Sequence, residues 1–291
     1  MPKKVLILGT LLSVPFQLHS SDWFETNTPL AQAHQNLLTN DLEGMFTSLV
    51  EVWQLKQNKN IQSHLNDLFV QSLSIDCGKS LNNQPFPEWI KSITITNIDI
   101  QSPGRDAYQV LVEAQTSKEL TDVKLTKWVK KPLSSDILFS RKGDNVTNGW
   151  RTYLKRYNLN NKLSIGLYRL DITASDQTSW SSWIILSDFK AKQTVHWSSK
   201  DQWIVDKNAL LNRYCPLPKL DVSVFDYVDN EYKEIWTKSY ESDYPTQLEL
   251  TNLASDRYVL AVSMTHQRWQ GAITIEQAQV ISKTYNVSLE E

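Results

Sequence analysis

LSIGLYRLDI, residues 163–172, and LASDRYVLAV, residues 253–262, are the stretches on which the fold turns. Aligned, they match Leu163 with Leu253, Tyr168 with Tyr258, Leu170 with Leu260 and Ile172 with Val262. From each tyrosine onward an apolar residue recurs at every second position, the period of a half-buried strand. The correspondence extends outward. Phe139 and Trp150 are eleven residues apart, as are Phe225 and Trp236. Trp180 lies twelve residues after Tyr168, and Trp269 eleven after Tyr258. Pro132 in KPL and Pro218 in PLP each stand seven residues before the phenylalanine. Offsets of 86 to 90 residues indicate two copies of one β module, the first with extra strands at its N-terminal side.

The shared Leu-x-x-x-x-Tyr-x-Leu resembles the tyrosine corner of immunoglobulin-like and fibronectin-type sandwiches. In such a corner a tyrosine opening a late strand bonds backbone upstream and packs the core. The resemblance implies two antiparallel sandwiches and concerns fold, not chemistry. Tyr168 and Tyr258 are accordingly expected to be structural, as are the aligned tryptophans.

Upstream of the β modules the period changes. In residues 28–75, Leu30, Ala33, Leu37 and Leu38 recur at helical spacing, followed by Leu42, Met45, Phe46, Leu49 and Trp53. Ile61, Leu65, Leu68, Phe69 and Leu73 define a third helix. Asn40 with Glu43 has the spacing of a capping box. KSLNNQPFPE, at 79–88, marks a boundary. Beyond it SITITNIDI, AYQVLVEA and DVKLTKWV are short strands, and only DKNALLNRY at 206–214 has a helical pattern. The expected fold class is α+β, mainly β. A helical hairpin or cap at 24–80 precedes sandwiches at 88–197 and 216–288, with 198–215 connecting them.

MPKKVLILGTLLSVPFQLHSS has the positive, apolar and small-residue regions of a secretory signal, assigned to residues 1–20. An exported, periplasmic protein is expected, with no membrane insertion after signal cleavage. Cys77 and Cys215 are the two cysteines of the chain, and in an oxidising compartment they are expected to form a disulfide. Closing a loop of that length stabilises a fold by roughly 4 kcal/mol in the chain-entropy model.

The composition excludes several function classes. Across 291 residues the formal charge is −2, and no Lys/Arg-rich run supplies the electrostatic footprint of a nucleic-acid partner. Neither G-x-S-x-G, G-x-G-x-x-G nor a P-loop occurs, so no cofactor and no catalytic residue is assigned. No histidine or cysteine pair has zinc-ligand spacing, and no metal site is assigned. The acids of FDYVDNEYK, at 225–233, lack the order of a calcium loop and fit a solvated hairpin turn.

Eleven tryptophans are the compositional excess. Trp197 and Trp203, in HWSSKDQWIVD, have no counterpart in the repeat and sit among polar residues. With Asp201, and with Asp176 in the unrepeated loop ASDQT, they are the ligand or partner candidates. Planar rings beside polar groups suit an envelope protein partner or a glycan. The expected function is non-enzymatic binding in the cell envelope. Glycan binding to peptidoglycan or surface polysaccharide is the alternative, and a glycan hydrolase is third.

The leader MPKKVLILGTLL, the helical LAQAHQNLLTNDLEGMFTSLVEVWQ and the Trp-rich β region ending in TYNVSLEE resemble a family of uncharacterised exported proteins of marine gammaproteobacteria. Some members are encoded beside an envelope-stress sensor kinase. The resemblance implies an envelope context and carries no active site.

Overall fold

The computed structural model describes residues 28–55, 59–129, 131–133, 137–141, 149–187, 192–208, 210, 212–250 and 253–287. The expected signal lies outside them. Three helices come first: α1 (Pro29–Leu38), α2 (Leu42–Leu55) and α3 (Lys59–Asp76). The first half of the β region holds β1 (Ile90–Ser102), β2 (Arg105–Thr116), β3 (Leu120–Lys127), β4 (Lys131–Pro132), β5 (Ile137–Arg141), β6 (Arg151–Leu159), β7 (Gly166–Ala174) and β8 (Ser179–Leu186). Then follow β9 (Thr194–Trp197), β10 (Trp203–Asp206), β11 (Lys219–Val228), β12 (Glu231–Tyr240), β13 (Arg257–Gln270) and β14 (Ile273–Asn286). The chain is mainly β with a helical N-terminal part, as its change of period predicts.

Local chemistry sets the helix ends. Thr28 caps α1 by accepting from the Ala31 amide at 3.2 Å, and Pro29 supplies a pre-set φ at the first position. Asn40 does not open a capping box. It ends α1 in the left-handed region (φ 59°), and Asp41 caps α2 instead, accepting from the Gly44 amide at 2.9 Å. DKNALLNRY is not helical in its described residues. There Asn212 donates to the Leu73 carbonyl and accepts from the amides of Tyr214 and Cys215, tying this segment to the end of α3. The expected Cys77–Cys215 disulfide is present, across a sequence separation of 138.

The strands form an eight-stranded sheet in the order β12-β11-β13-β14-β1-β2-β6-β5, a four-stranded sheet β4-β3-β7-β8, and the ribbon β10-β9. The expectation of purely antiparallel modules is corrected at one place: β1 and β14 pair in parallel, from Thr94↔Thr274 to Gln101↔Ile281. Hairpin reasoning misses this pair because its partners lie at opposite ends of the β region, joined by the long connection that a parallel pair requires. Strands from 88–197 and from 216–288 therefore share one sheet.

Two apolar cores lie along that shared sheet. One holds Ile93, Ile95, Val110 and Val112 against Val123, Leu125, Leu170 and Ile172 of the four-stranded sheet. Tyr157 fastens these layers: its buried hydroxyl donates to the Val123 carbonyl at 2.7 Å and accepts from the Leu125 amide at 3.0 Å. The other holds Val222, Val224, Leu260 and Val262 against Val195 and Trp203 of the ribbon. The helices cover the far side of the four-stranded sheet, where Leu167 and Ile185 join Phe46, Leu49, Trp53 and Phe69. The order is helix layer, small sheet, large sheet, with the ribbon under the other end of the large sheet.

The helix layer is also joined to the β13–β14 turn by backbone. The Trp269 amide donates to the Cys77 carbonyl and the Gly271 amide to the Gly78 carbonyl, both at 2.9 Å. A Cβ on Gly78 would lie 2.0 Å from the Trp269 carbonyl oxygen, and one on Gly271 2.0 Å from that of Asn82. Both glycines also have positive φ, so this close approach depends on their lacking side chains.

The two halves correspond at the tyrosines and diverge soon after them. Tyr168 opens β7 and Tyr258 opens β13, each with buried alternate residues following. Then β7 stops at a turn, with Gln177 in the left-handed region and the Thr178 amide bonded to Asp176 Oδ1 at 3.0 Å. β13 has no such turn and runs straight to Gln270. Trp180 and Trp269, aligned in sequence, are therefore not equivalent. Trp180 lies on the next strand beside the first core, with Phe86 edge-on at 5.5 Å, whereas Trp269 ends the tyrosine's own strand.

Candidate functional site

The sequence-derived candidates are not brought together. Asp176 is in the β7–β8 turn, while Trp197, Asp201 and Trp203 belong to the β9–β10 ribbon. Asp176 is held by Lys118, whose ammonium lies 2.6 Å from Oδ2. That contact, with the Thr178 hydroxyl and amide, keeps its carboxyl well below the usual carboxylate range. These contacts hold the β7–β8 turn together.

Trp203 is corrected as a ligand candidate, because its side chain is fully buried in the second core and has no face for a ligand. Trp197 packs against it, ring centroids 6.1 Å apart at 81°. The Lys283 ammonium lies over the Trp197 ring at 3.9 Å, and burial lowers its pKa while Asp201 acts in the opposite direction. Among the described tryptophans, Trp53, Trp89 and Trp203 are buried, and the others are partly covered.

Between the two cores the inner face of the large sheet turns polar. Asn97 and Asp99 on β1 face Gln277 and Gln279 on β14, which in turn face His266 and Met264 on β13. The alternation of the sequence reads through this region without showing what the polar positions meet. They meet the edges of other sheets. Gln270 accepts from the Ile185 amide at 3.0 Å and donates to the Trp183 carbonyl at 2.6 Å, and Arg268 donates to the Ile185 carbonyl at 2.8 Å. Gln279 bonds both the amide and the carbonyl of Val195, each at 3.1 Å. His266 Nε2 accepts from the Gln193 amide at 3.0 Å. These side chains act as short substitute strands that satisfy backbone groups a sheet edge would leave unpaired.

A cavity of about 140 Å³ opens over this belt, with Asp99, Lys162, Lys192 and His266 among its walls. Lys162 pairs with Asp99 at 3.0 Å. Burial, aided by Lys192, pushes His266 down to about 4, so its imidazole is neutral at pH 7. Burial also lowers Arg268 to about 9. These contacts join the four-stranded sheet and the ribbon to the large sheet.

Two surface features remain. The first is the hairpin of β11 and β12, closed by Asp229 and Asn230, both at positive φ as a two-residue turn of the I′ type requires. β12 is the outermost strand of the large sheet. Near its tip the cross-strand rings of Tyr227 and Tyr232 lie 4.9 Å apart, and their side chains are 55% and 64% exposed. Val228 and Ile235 are further exposed apolar residues of the hairpin, Val228 on the face opposite to Tyr227. FDYVDNEYK predicts the turn, but alternation alone does not show that this edge is left uncovered.

The second is a groove of about 330 Å³ between α2, the 81–84 segment and the outer face of β7–β8. Leu167 and Ile185 on that face are covered by helices, whereas Arg169 and Trp183, paired in register one step further on, line the groove. Among the described residues no three His, Cys, Asp or Glu side chains are grouped to hold a metal ion, and no helix is long and apolar enough to cross a membrane.

No curated protein matches the chain. A protein family of unknown function, DUF2861, matches residues 23–286, and the chain belongs to it.

Proposed function

We propose that the protein is a non-enzymatic binding protein of the cell envelope, exported to the periplasm, that docks a protein partner on the β11–β12 hairpin. The observation that carries this reading is the exposed Tyr227–Tyr232 pair, which spans β11 and the edge strand β12. Large apolar side chains on an unpaired strand edge are unfavourable in water and favourable under a partner, which gains both ring burial and main-chain hydrogen bonds. The Cys77–Cys215 disulfide supports an oxidising compartment. An immunoglobulin-like kinship of the two halves, supported by their tyrosine corners, and a connection to envelope-stress sensing belong to the same proposal.

The test is site-specific photo-crosslinking in exporting cells, with the crosslinker at Tyr232 or Ile235 and a control at Lys200 on the ribbon turn. One discrete protein adduct from the hairpin positions, lost on Tyr227→Asp substitution, is expected. Recovery of the protein from the cytoplasm, or equal adducts from hairpin and control, overturns the proposal.

A further inference from the structure

Two histidines separated by 30 residues in sequence meet on the helix layer. His34 is on α1 and His64 on α3. Their Nε2 atoms lie 3.0 Å apart, with ring centroids at 5.1 Å. Packing beneath them fixes the meeting: Ala33 and Leu37 of α1 share one core with Ile61, Leu65 and Leu68 of α3. Each histidine is next in sequence to one of these buried residues, so both imidazoles leave the solvent edge of a packed interface. His64 is exposed and His34 half-buried. Local ligand spacing cannot show such a pair, because its members come from separate helices.

Without an ion, one Nε2 carries a proton and donates it to the other. Burial, with His64 beside it, lowers the pKa of His34, so that ring is neutral at pH 7. A hydrogen bond open to water adds little to stability. The same two nitrogens can instead share a cation. Imidazole suits copper, nickel and zinc, whereas calcium and magnesium take oxygen ligands. With metal–nitrogen bonds of about 2.0–2.1 Å, two imidazoles on one ion have their nitrogens about 2.9 Å apart at a right angle and about 3.4 Å apart at the tetrahedral angle. The observed 3.0 Å falls within that range.

We propose that His34 and His64 form a two-histidine site for a divalent transition-metal ion, which takes the place of the proton between the two Nε2 atoms and joins α1 to α3. That proton moves to Nδ1 of its own ring. Among the described residues no third His, Cys, Asp or Glu is grouped with the pair, so the other coordination positions are open to water and the ion is exchangeable. Two neutral nitrogen ligands favour copper(II) over nickel(II) and zinc(II), following the intrinsic order of affinity. The site is in the helix layer and does not rest on the docking reading of the hairpin.

The test uses the purified chain, stripped of metal by a chelator and carrying no polyhistidine tag. Zinc(II) is added while the imidazole ¹H–¹⁵N resonances of His34 and His64, assigned from His34→Gln and His64→Gln, are followed. Both rings should shift together and saturate at one ion per pair. Copper(II) added afterwards should displace the zinc and broaden the same two rings. Each substitution should weaken binding by about tenfold or more, since even loss of a ligand's supporting group costs that much. His196→Gln, which removes an exposed histidine paired with Asp206, should leave binding unchanged. Zinc should raise the urea midpoint of the wild-type chain and not of either variant, because the site exists only when both helices are packed. Absence of a shift at about 0.5 mM zinc(II), far above a micromolar Kd, overturns the proposal and leaves a hydrogen-bonded pair. So does unaltered binding in His34→Gln or in His64→Gln.

Discussion

Tyr168 and Tyr258 make the same hydrogen bond in the two halves of the molecule: each hydroxyl donates to the carbonyl four residues upstream, to Ser164 at 2.6 Å and to Ala254 at 3.1 Å. Leu163 and Leu253, five residues before each tyrosine, pack beside the first and second core respectively. The motif thus fixes where the chain enters a strand. Tyr168→Phe and Tyr258→Phe should each lower stability by about 1–2 kcal/mol, the cost of leaving a carbonyl without its donor. Urea unfolding is the measurement. Tyr168→Phe should be the costlier, because its ring is fully buried and its bond the shorter.

The Cys77–Cys215 bridge ties the end of α3 to the segment entering β11. Replacing both cysteines by serine should cost about 4–5 kcal/mol, mostly by releasing a loop in the unfolded chain. Guanidinium unfolding of the double variant, compared with the oxidised protein, reads this directly. An unchanged midpoint would show that the Asn212 bonds and helix packing alone hold the junction.

Gly78→Ala and Gly271→Ala should each destabilise by more than about 2 kcal/mol, since a Cβ cannot share space with a carbonyl oxygen and both backbones have positive φ. The damage should be local at first. Limited proteolysis should cut around residues 78–84 in the variants before it cuts β1 or β14, and simultaneous loss of all elements would argue against a separable helix layer.

His266 makes stability depend on pH, and the direction follows from its depressed pKa. The unfolded chain takes up a proton below about 6.5, whereas the native imidazole does so only below about 4. Stability contributed by this group is therefore complete above about pH 6.5, falls between 6.5 and 4, and levels off below. The full loss is about 3 kcal/mol. Lys192, Lys162 and Asp99 line the same cavity, and Lys192 helps to disfavour the imidazolium. His266→Gln should flatten that part of the stability–pH profile. The same variant separates this effect from His34, also lowered by burial and by His64 with their Nε2 atoms 3.0 Å apart.

Much of the fold is legible in local pattern. The switch from helical to alternating period separates α3 from β1, and the tyrosine spacing locates the starts of β7 and β13. Less of the site is. Trp197 and Trp203 stand among polar residues in the sequence, yet one ring is in the core and the other packs against it beneath a lysine. Neighbours in sequence reveal little about burial in a four-residue strand, where alternate side chains face opposite ways. Trp183, in SWSSWIIL, invites an inner-face reading, yet it lies three residues after Trp180 on the opposite, helix-facing side of β8. Its position on a partly covered face depends on how far α2 extends over β8.

From its residues alone, this chain's period, caps, turn at Asp229–Asn230 and paired cysteines determine its elements and the entry points of its two halves. These are local or entropic properties, carried by spacing within a few residues or by the oxidising chemistry of cysteine. Tertiary structure alone decided that the halves share one sheet. The parallel pairing of β1 with β14 unites strands from opposite ends of the β region, and a hydrogen-bonding edge is open to any strand of suitable length. The same assembly decided which edges Gln270, Arg268 and Gln279 satisfy, and left β12 at an edge of the large sheet.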